Sequence, residues 1–438
     1  MPANTSIREY TRYMSVVQIT VDIGGKPGYD CNGFCEYCYF KKVAQSDAQN
    51  PPEPFGCRYC LPFTKGCSFC RDSVREAYTG FKPLKEVGLE TLAQLQQASG
   101  EISKITISGG GDPSCYPEFV DLIELLASTE APLHIGYTSG KGFDDPDIAE
   151  FLIGSGMREI SFTIFSANPE LRRAYMHDPN PEESLETYRR LAHKIDMYAA
   201  ILILPGVNDG QDLLDTVKWL EACNTKGIIL MRFANSVKQG LILNNAPLIP
   251  DQHVHTIEEF SAIVKKVKEN TSIRISATPV FDPDFNTPFV LATMPEILAT
   301  FPPITSRATL ITGTIAAPYI REILHQVGFD GNVIGVDKEI ADLITIHDLA
   351  SLDPSILENT IIIPQNALVH DQEVDALLGD DGERVVLRGP AMLTVDGETA
   401  MGMRKEETLE IERKGFLELI SLINRYGDDA EIFNLNSG

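Results

Sequence analysis

The stretch Cys31-Asn32-Gly33-Phe34-Cys35-Glu36-Tyr37-Cys38 decides the fold of this chain, because it spaces three cysteines by three and then two residues. It follows an apolar, β-branched run, Val16–Ile23, which predicts a buried strand. A tight loop of this kind can present three thiolates to three corners of an iron–sulfur cubane, a cluster that usually takes four cysteines. One iron then stays open for a ligand other than cysteine. The alternative interpretation of the trio is a zinc or structural site.

Outward from this loop, short β-branched runs alternate with longer amphipathic segments. The predicted strands are Val16–Ile23, Lys104–Ile107, Leu133–Thr138, Glu159–Ile164, Tyr198–Leu204, Gly227–Phe233 and Ile273–Ala277, and the helices include Leu89–Gln97, Glu118–Ala127, Pro181–Asp196 and Leu213–Ala222. Continuous apolar strands joined by helical crossovers favour a buried parallel sheet. The pattern therefore predicts an α/β fold with a full or partial (β/α) barrel, whose active site lies at the carboxyl ends of the strands.

A second cysteine set comprises Cys57, Cys60, Cys67 and Cys70, in the run CRYCLPFTKGCSFC. It falls in an aperiodic insertion at about residues 25 to 85, and bound metal can organise a segment too small for its own core. Four thiolates close a tetrahedron, which suits zinc or a single iron. A second iron–sulfur cluster is the main competitor, and the spacing alone leaves all three open.

Proline residues punctuate Ala277–Ser306 and predict the main domain boundary near its end. The expected domains are a barrel at 1–300, which includes the Cys-rich loop at 50–80, and a C-terminal domain at 305–425. The C-terminal pattern predicts an α+β domain, with helices at about Ala316–Val327 and Thr408–Asn424 and strands at Asn332–Val336, Leu343–Ile346, Thr360–Pro364, Arg384–Arg388 and Ala391–Val395.

Composition narrows the function classes. The net charge is −25, with 62 acidic and 37 basic residues and no basic run, which argues against a nucleic-acid partner. No segment approaches the roughly 18–20 apolar residues of a membrane span, and the start of the chain lacks a secretory pattern. A cytoplasmic location is therefore expected, where CxxC pairs are more often metal ligands than disulfides.

The run Ser108-Gly109-Gly110-Gly111-Asp112-Pro113 follows the second predicted strand. Together with CNGFCEYC after the first strand, it resembles the radical S-adenosylmethionine (SAM) superfamily. The resemblance implies that Cys31, Cys35 and Cys38 hold a [4Fe-4S] cluster whose open iron binds SAM. It also implies cofactor contacts from the glycine-rich turn, at Gly109, Gly110, Gly111 and Asp112, while the ring of Tyr37 could lie against a flat ligand.

Two further segments fit the habits of this superfamily less tightly. Ser161–Arg173 follows the fourth strand, where relatives contact the SAM ribose and carboxylate, so Ser166 and Arg172 are candidates. The alternative is that Arg172 is an ordinary exposed helix charge. Ile229–Gly240 follows the sixth strand, where relatives touch the adenine, and Asn235 is the candidate there.

The whole cysteine arrangement, followed by GGGDPSCYPE and a distinct C-terminal domain, closely resembles the methanogenesis marker protein ten family. That family comprises radical SAM, cobalamin-dependent arginine C-methyltransferases that act on the α subunit of methyl-coenzyme M reductase. The resemblance implies mononuclear iron in the Cys57–Cys70 loop and a C-terminal cobalamin-binding domain. It also makes Tyr116 a possible fourth ligand of the cluster; the alternative is that Tyr116 packs beneath the turn.

Cobalamin has little direct support in the sequence. The Asp-x-His-x-x-Gly fingerprint is absent, and the nearest string, Asp251–Thr256, ends in threonine. The apolar segment Ile315–Leu324 could pack against a corrin, whereas His325, at a helix end, is more simply a cap or surface residue. Cys115 and Cys223 are expected to be buried core thiols.

The implied reaction is methylation of Cδ (C5) of an arginine. A 5′-deoxyadenosyl radical would remove hydrogen from that unactivated carbon, methylcobalamin would donate the methyl group, and an external donor would supply electrons. One alternative is a radical SAM peptide-maturation enzyme with an auxiliary iron–sulfur cluster and no cobalamin. A non-enzymatic alternative is a zinc-stapled scaffold.

Overall fold

The computed structural model describes residues 16–42, 80–242, 245–279, 282–284 and 288–429. Two units divide the described chain: the first holds 16–42, 80–233 and 255–275, and the second holds the remainder. Cys57, Cys60, Cys67 and Cys70 lie outside the described residues, so their metal site stays a prediction. In the described segments, no helix combines the length and the apolarity needed to cross a bilayer.

Apolar strands build a seven-stranded sheet whose spatial order follows the sequence. The strands are β1 (Val16–Asp22), β2 (Glu101–Ser108), β3 (Leu133–Thr138), β4 (Met157–Thr163), β5 (Asp196–Ile203), β6 (Gly227–Arg232) and β7 (Arg274–Thr278). Neighbours from β1 to β6 pair in parallel, and Asp22 lies opposite Ser108 at the carboxyl ends of β1 and β2. This sheet confirms the predicted α/β class and its partial (β/α) barrel.

Amphipathic helices connect these strands. They are α1 (Leu84–Gln97), α2 (Phe119–Ala127), α3 (Ile148–Gly154), α4 (Pro181–Leu191), α5 (Gln211–Ala222) and α6 (Ile257–Glu269). In α6, Phe260, Val264 and Val267 are buried at helical spacing, and a Thr256–Glu259 capping box begins the helix. The predicted helix Pro181–Asp196 is too long, because α4 ends at Leu191 and Asp196 already begins β5.

The second unit contains a four-stranded sheet of order β10–β9–β11–β12. Its strands are β9 (Thr309–Gly313), β10 (Asn332–Val336), β11 (Thr360–Ile363) and β12 (Val385–Arg388), while β8 (Ser306–Arg307) and β13 (Asp428–Asp429) form a separate antiparallel pair. The helices are α7 (Ala317–Gln326), α8 (Ile346–Ala350), α9 (Asp371–Leu378), α10 (Gly397–Met401) and α11 (Lys405–Tyr426).

This sheet corrects the predicted α+β character of the C-terminal domain. All its strand pairs are parallel, and its faces are covered by separate core clusters, so that Ile362 faces one and Ile361 and Ile363 face the other. The unit is therefore α/β. The predicted strands Leu343–Ile346 and Ala391–Val395 are wrong, and β9 was not predicted.

Short helical turns complete the described part of the chain. They lie at Tyr29–Cys31, Pro113–Cys115, Pro169–Leu171, Val237–Gln239, Val290–Thr293, Pro295–Leu298, Ala341–Leu343, Pro354–Ile356 and Asp380–Gly382, and a π-helical turn spans Arg172–Met176. Several of these turns follow a strand of the first sheet at its carboxyl end. They therefore shape the edge at which a barrel of this type carries its site.

Candidate metal and cofactor site

The loop that follows β1, residues 23–42, carries Cys31, Cys35 and Cys38 and is here called the cysteine loop. The chain segments that follow β2, β3 and β4 each bond to it. Asp112 N–H donates to Asp30 O at 3.0 Å, Asn32 Nδ2 donates to Lys141 O at 3.2 Å, and Glu36 N–H donates to Tyr175 O at 2.8 Å. The parallel sheet thus brings together the loops after β1, β2 and β4 that the sequence pointed to, and it adds the loop after β3.

Glycines close the β2 loop onto the β1 loop. The Gly111 N–H donates to Gly24 O at 3.1 Å, and a Cβ atom at Gly111 would lie 2.8 Å from the Phe81 ring. A Cβ atom at Gly109 would lie 2.3 Å from the Gly24 carbonyl oxygen. Two backbones therefore approach each other at these positions, which only residues without a side chain permit. This packing explains Gly109 and Gly111 independently of any cofactor contact.

Hydrogen-bond donors surround the cysteine sulfurs. Gly28 N–H donates to Cys31 Sγ at 3.3 Å, and the Lys141 ammonium lies 3.6 Å from Cys35 Sγ. The chain turns sharply after Cys31 because Asn32 and Gly33 both have left-handed backbone conformations, with φ of 51° and 109°. Donors directed at sulfur favour thiolates over thiols, which is the form in which cysteine binds metal.

Burial acts against ionisation of these thiols. Desolvation raises the pKa of Cys31 to about 11 and that of Cys38 to about 12, and it also raises the pKa of Cys35. The positive charge of Lys141 acts in the opposite direction on all three pKa values. Metal coordination offsets such a desolvation cost, since a bound metal deprotonates a coordinating thiol.

Three cysteines on one loop match the number of protein ligands of a cubane cluster that keeps one iron open. A cubane takes its three cysteines on three different irons, so the sulfurs lie around the cluster rather than around a common centre. Cys31, Cys35 and Cys38 would hold this group. Gly28 N–H and the Lys141 ammonium would donate to the sulfurs of Cys31 and Cys35.

Tyr37 packs inside the site. Its ring stacks on Phe165, with centroids 4.9 Å apart and planes 22° apart, and its side chain is buried. Its hydroxyl is buried beside the Cys35 sulfur. Desolvation raises the pKa of Tyr37 well above its ordinary value, and the neighbouring Cys35 acts in the same direction. Phe165 therefore already covers one face of the Tyr37 ring, which was predicted to lie against a flat ligand.

Asp112 ties two loops together. Its carboxylate accepts hydrogen bonds from Ser114 N and Oγ, from Thr138 Oγ1 at 2.6 Å, and from Ser139 N at 2.8 Å and Ser139 Oγ. It thereby caps the turn Pro113–Cys115 and fixes the β2 loop to the end of β3. The structure gives this residue a positioning role, and its predicted contact with the cofactor stays a prediction.

Tyr116 donates its hydroxyl to Lys82 O at 2.9 Å, and its ring meets the Phe81 ring edge-on. Only 3% of the residue is exposed, and burial raises the pKa of its phenol to about 12. These contacts agree with the alternative that Tyr116 packs beneath the turn. Ligation of the cluster by Tyr116 stays a prediction.

Arg172 requires a correction. Its five N–H groups all donate to protein acceptors: Nε and Nη2 to Asp178 Oδ2, Nη2 also to Ser139 O, and Nη1 to Thr163 O and Ile164 O. The guanidinium therefore has no free donor for the SAM carboxylate in this structure. It is also fully buried, so the alternative of an exposed helix charge is wrong.

Ser166 and Asn235 have protein partners as well. Ser166 Oγ donates to Asp212 Oδ1 at 2.9 Å and accepts from Asn168 N–H. Asn235 belongs to the second unit, where its Nδ2 donates to Ile249 O at 2.7 Å. Of the two remaining cysteines, Cys223 is buried as expected, whereas Cys115 is half-buried and lies beside Ser114.

Sequence reasoning missed Lys141 and the π-helical turn at Arg172–Met176. Lys141 lies in the run TSGKG directly after β3, and a lysine between glycines at a strand's carboxyl end was the available signal. The π-helical turn contacts the cysteine loop through two carbonyls: Tyr175 O accepts from Glu36 N–H, and Met176 O accepts from Cys35 Sγ. Such turns occur frequently at functional sites.

The predicted corrin-packing segment Ile315–Leu324 lies in α7 and the residues before it. Ile320, Ile323 and Leu324 belong to the core of the second unit, so this face of the helix is not available to a corrin. His325 is exposed in the last turn, as expected for a surface residue. The order β10–β9–β11–β12 places a topological switch between β9 and β11, and ligands of open parallel sheets bind at the carboxyl ends of such strands.

Residues 26–220 match the family model of the Radical SAM superfamily. No curated protein sequence matches the chain.

Solved structures resemble parts of this chain at low identity. SuiB of Streptococcus suis, bound to S-adenosylmethionine, is 9% identical over 62% of this chain and 53% of its own length, with a TM-score of 0.40. A radical SAM methyltransferase from Sphaerobacter thermophilus is 14% identical over 60% of this chain and 65% of its own, with a TM-score of 0.38. This chain therefore spans about half to two thirds of the length of these two proteins. Likenesses this distant do not bear on substrate or activity.

Proposed function

Taking residues 26–220 as a radical SAM domain, we propose that this protein is a cobalamin-dependent radical SAM methyltransferase. Its substrate is an arginine in the α subunit of methyl-coenzyme M reductase, methylated at Cδ. The radical SAM part of the proposal rests on the cysteine loop at the carboxyl edge of the sheet. In this loop Gly28 N–H donates to Cys31 Sγ, and the Lys141 ammonium donates to Cys35 Sγ.

In this proposal Cys31, Cys35 and Cys38 hold the cluster, and the turn Gly109–Gly111 lies beside SAM. When bound, the cluster, SAM and cobalamin supply radical hydrogen abstraction and methyl transfer, chemistry that no protein side chain offers at an unactivated carbon. The chain's own contribution is to position these groups and to exclude water from them. Asp112 fixes the glycine-rich turn to the end of β3. The stacked rings of Tyr37 and Phe165 pack the cysteine loop against the segment after β4.

The arginine substrate and the use of cobalamin rest on the resemblance of the cysteine arrangement and the C-terminal domain to the marker protein ten family. The switch point between β9 and β11 of the second unit supports a ligand site there. Mononuclear iron in the Cys57–Cys70 loop and an external electron donor complete the proposal.

The test is an anaerobic assay of the metal-loaded protein with SAM, a reductant, methylcobalamin and a peptide that contains the target arginine. The proposal predicts a product heavier by one methyl group, which fragmentation assigns to arginine, and none with the Cys35→Ser variant. SAM cleavage without methylation, from protein that holds an extra cluster and no corrin, would favour the peptide-maturation alternative. Bound zinc and intact SAM would favour the scaffold.

A further inference from the structure

Lys141 is buried against the cysteine loop. Only 2% of its surface is exposed. Its ammonium donates to Gly33 O at 2.9 Å and to Cys35 Sγ at 3.6 Å. Its own carbonyl oxygen accepts a hydrogen bond from Asn32 Nδ2 at 3.2 Å. Both the backbone and the side chain of this residue therefore hold the segment that separates the first two cysteines.

The Lys141 ammonium forms no salt bridge with a carboxylate among the described residues, which distinguishes it from Arg172 and Lys338. Arg172 pairs with Asp178 at 2.6 Å, and Lys338, in the second unit, lies 3.4 Å from Asp348. Burying an unpaired charge is costly, so a buried ammonium needs a nearby anion. The Cys35 sulfur becomes that anion when it binds metal as a thiolate.

We propose that Lys141 is a positioning residue that compensates the negative charge of the metal-bound thiolates and thereby raises the reduction potential of the cluster. The inference rests on the proposed role of Cys31, Cys35 and Cys38 as cluster ligands. Net charge and hydrogen bonds to the sulfurs are the levers by which a protein sets such a potential. One-electron reduction adds negative charge to the cluster, and a neighbouring fixed positive charge stabilises that reduced state.

Three variants separate charge from shape. Lys141→Met removes the charge and keeps an unbranched side chain that is one atom shorter, whereas Lys141→Arg keeps the charge. Lys338→Met removes a buried lysine from the second unit and controls for any general effect of losing such a residue. Each protein is reconstituted with iron and sulfide, its iron content is measured, and its midpoint potential is followed by electron paramagnetic resonance with dithionite as reductant.

The titration is run without SAM, so that a role for Lys141 in holding the SAM carboxylate would leave the potential unchanged. We expect Lys141→Met to lower the midpoint potential of the cluster by about 59 mV, which corresponds to a tenfold change in the one-electron equilibrium constant. Lys141→Arg and Lys338→Met should stay at the wild-type value. An unchanged potential in Lys141→Met, or an equal shift in Lys338→Met, would overturn the inference.

A Lys141 variant that fails to hold the cluster also tests the inference. If folded Lys141→Met protein binds little iron while Lys141→Arg binds it fully, the requirement for positive charge is supported. If both lose the cluster, shape rather than charge governs, and the inference is wrong. Wild-type protein that forms no cluster at all would instead contradict the proposed function on which the inference rests.

Discussion

Arg172 and Asp178 form an ion pair 2.6 Å long, and neither side chain has any exposed surface. The π-helical turn begins at Arg172 and ends two residues before Asp178, and its carbonyls at Tyr175 and Met176 accept hydrogen bonds from the cysteine loop. The guanidinium also reaches carbonyls at the ends of β3 and β4. This pair therefore fixes the scaffold against which the cysteines are held.

Breaking this pair should be costly. Asp178→Asn leaves the Arg172 charge buried without compensation, so we expect the free energy of unfolding to fall by about 3–5 kcal/mol. Iron content after reconstitution should fall as well, because the turn whose Tyr175 carbonyl accepts from Glu36 N–H in the cysteine loop loses its anchor. Urea unfolding and iron assays measure both effects. Arg173→Met is the matched control, since the partners of Arg173 among the described residues are the exposed Glu170 and Glu182, and it should change neither quantity. A wild-type unfolding midpoint in Asp178→Asn would refute the anchoring role.

Gly109→Ala should destabilise the first unit by about 1–3 kcal/mol, because the added methyl group meets the Gly24 carbonyl oxygen at 2.3 Å. Gly154 provides a control at the end of α3, where a Cβ atom would meet nothing within 4 Å. Alanine there should stabilise by about 0.5–1 kcal/mol. Both changes are measured by urea unfolding, and equal effects of the same sign would contradict the close approach of the two loops.

Tyr116→Phe tests packing against ligation. Loss of the hydrogen bond to Lys82 O should cost about 0.5–1.5 kcal/mol of stability, while the paramagnetic resonance spectrum of the reduced cluster without SAM stays unchanged. An altered spectrum would instead favour Tyr116 as the fourth ligand of the cluster. The ring contacts with Phe81 are kept in this variant, so a loss of packing does not confuse the result.

Glu412 in α11 should make the second unit sensitive to pH. The carboxylate is fully buried and accepts from Leu291 N–H at 2.7 Å, Val290 N–H at 3.2 Å and Thr394 Oγ1 at 2.7 Å. Desolvation raises its pKa from 4.5 to about 7, although these hydrogen bonds act in the opposite direction. The folded state therefore binds the proton more tightly than the unfolded state does.

The stabilisation from protonated Glu412 is complete below pH 4.5 and is lost as the pH rises through about 7. We expect this contribution to fall by about 3 kcal/mol across that window. Glu412→Gln should remove this slope from urea unfolding measured at several pH values. Glu410→Gln, at a half-exposed position of the same helix, should keep it. The same slope in both variants would show that another group is responsible.

The order of strands and loops could be predicted because burial and cysteine spacing are local patterns. Val16–Ile23 followed by the three cysteines predicted a strand and a site at its carboxyl end, and β1 with its loop has that arrangement. The strand β9 was missed because its run, Thr309–Gly313, is short, ends in a glycine and adjoins the proline-rich segment.

The roles of individual polar residues could not be predicted, because they depend on partners that are distant in sequence. Arg172 looks like either a helix charge or a ligand contact until Asp178 and the carbonyls of Ser139 and Ile164 are placed around it. The glycines beside Lys141 mark a loop after β3, but the proximity of Lys141 to Cys35 arises only when the loops after β1 and β3 meet.

The central claim is that Cys31, Cys35 and Cys38 hold a [4Fe-4S] cluster that binds SAM. Its most direct test is electron paramagnetic resonance of the anaerobically reconstituted and reduced protein, with and without SAM, for the wild type, for serine at each of the three cysteines, and for Cys223→Ala as a control. We predict a cubane signal that SAM alters in the wild type and in Cys223→Ala, and no such signal in the three serine variants. A cubane signal and SAM cleavage that persist in any of those three variants would contradict the account.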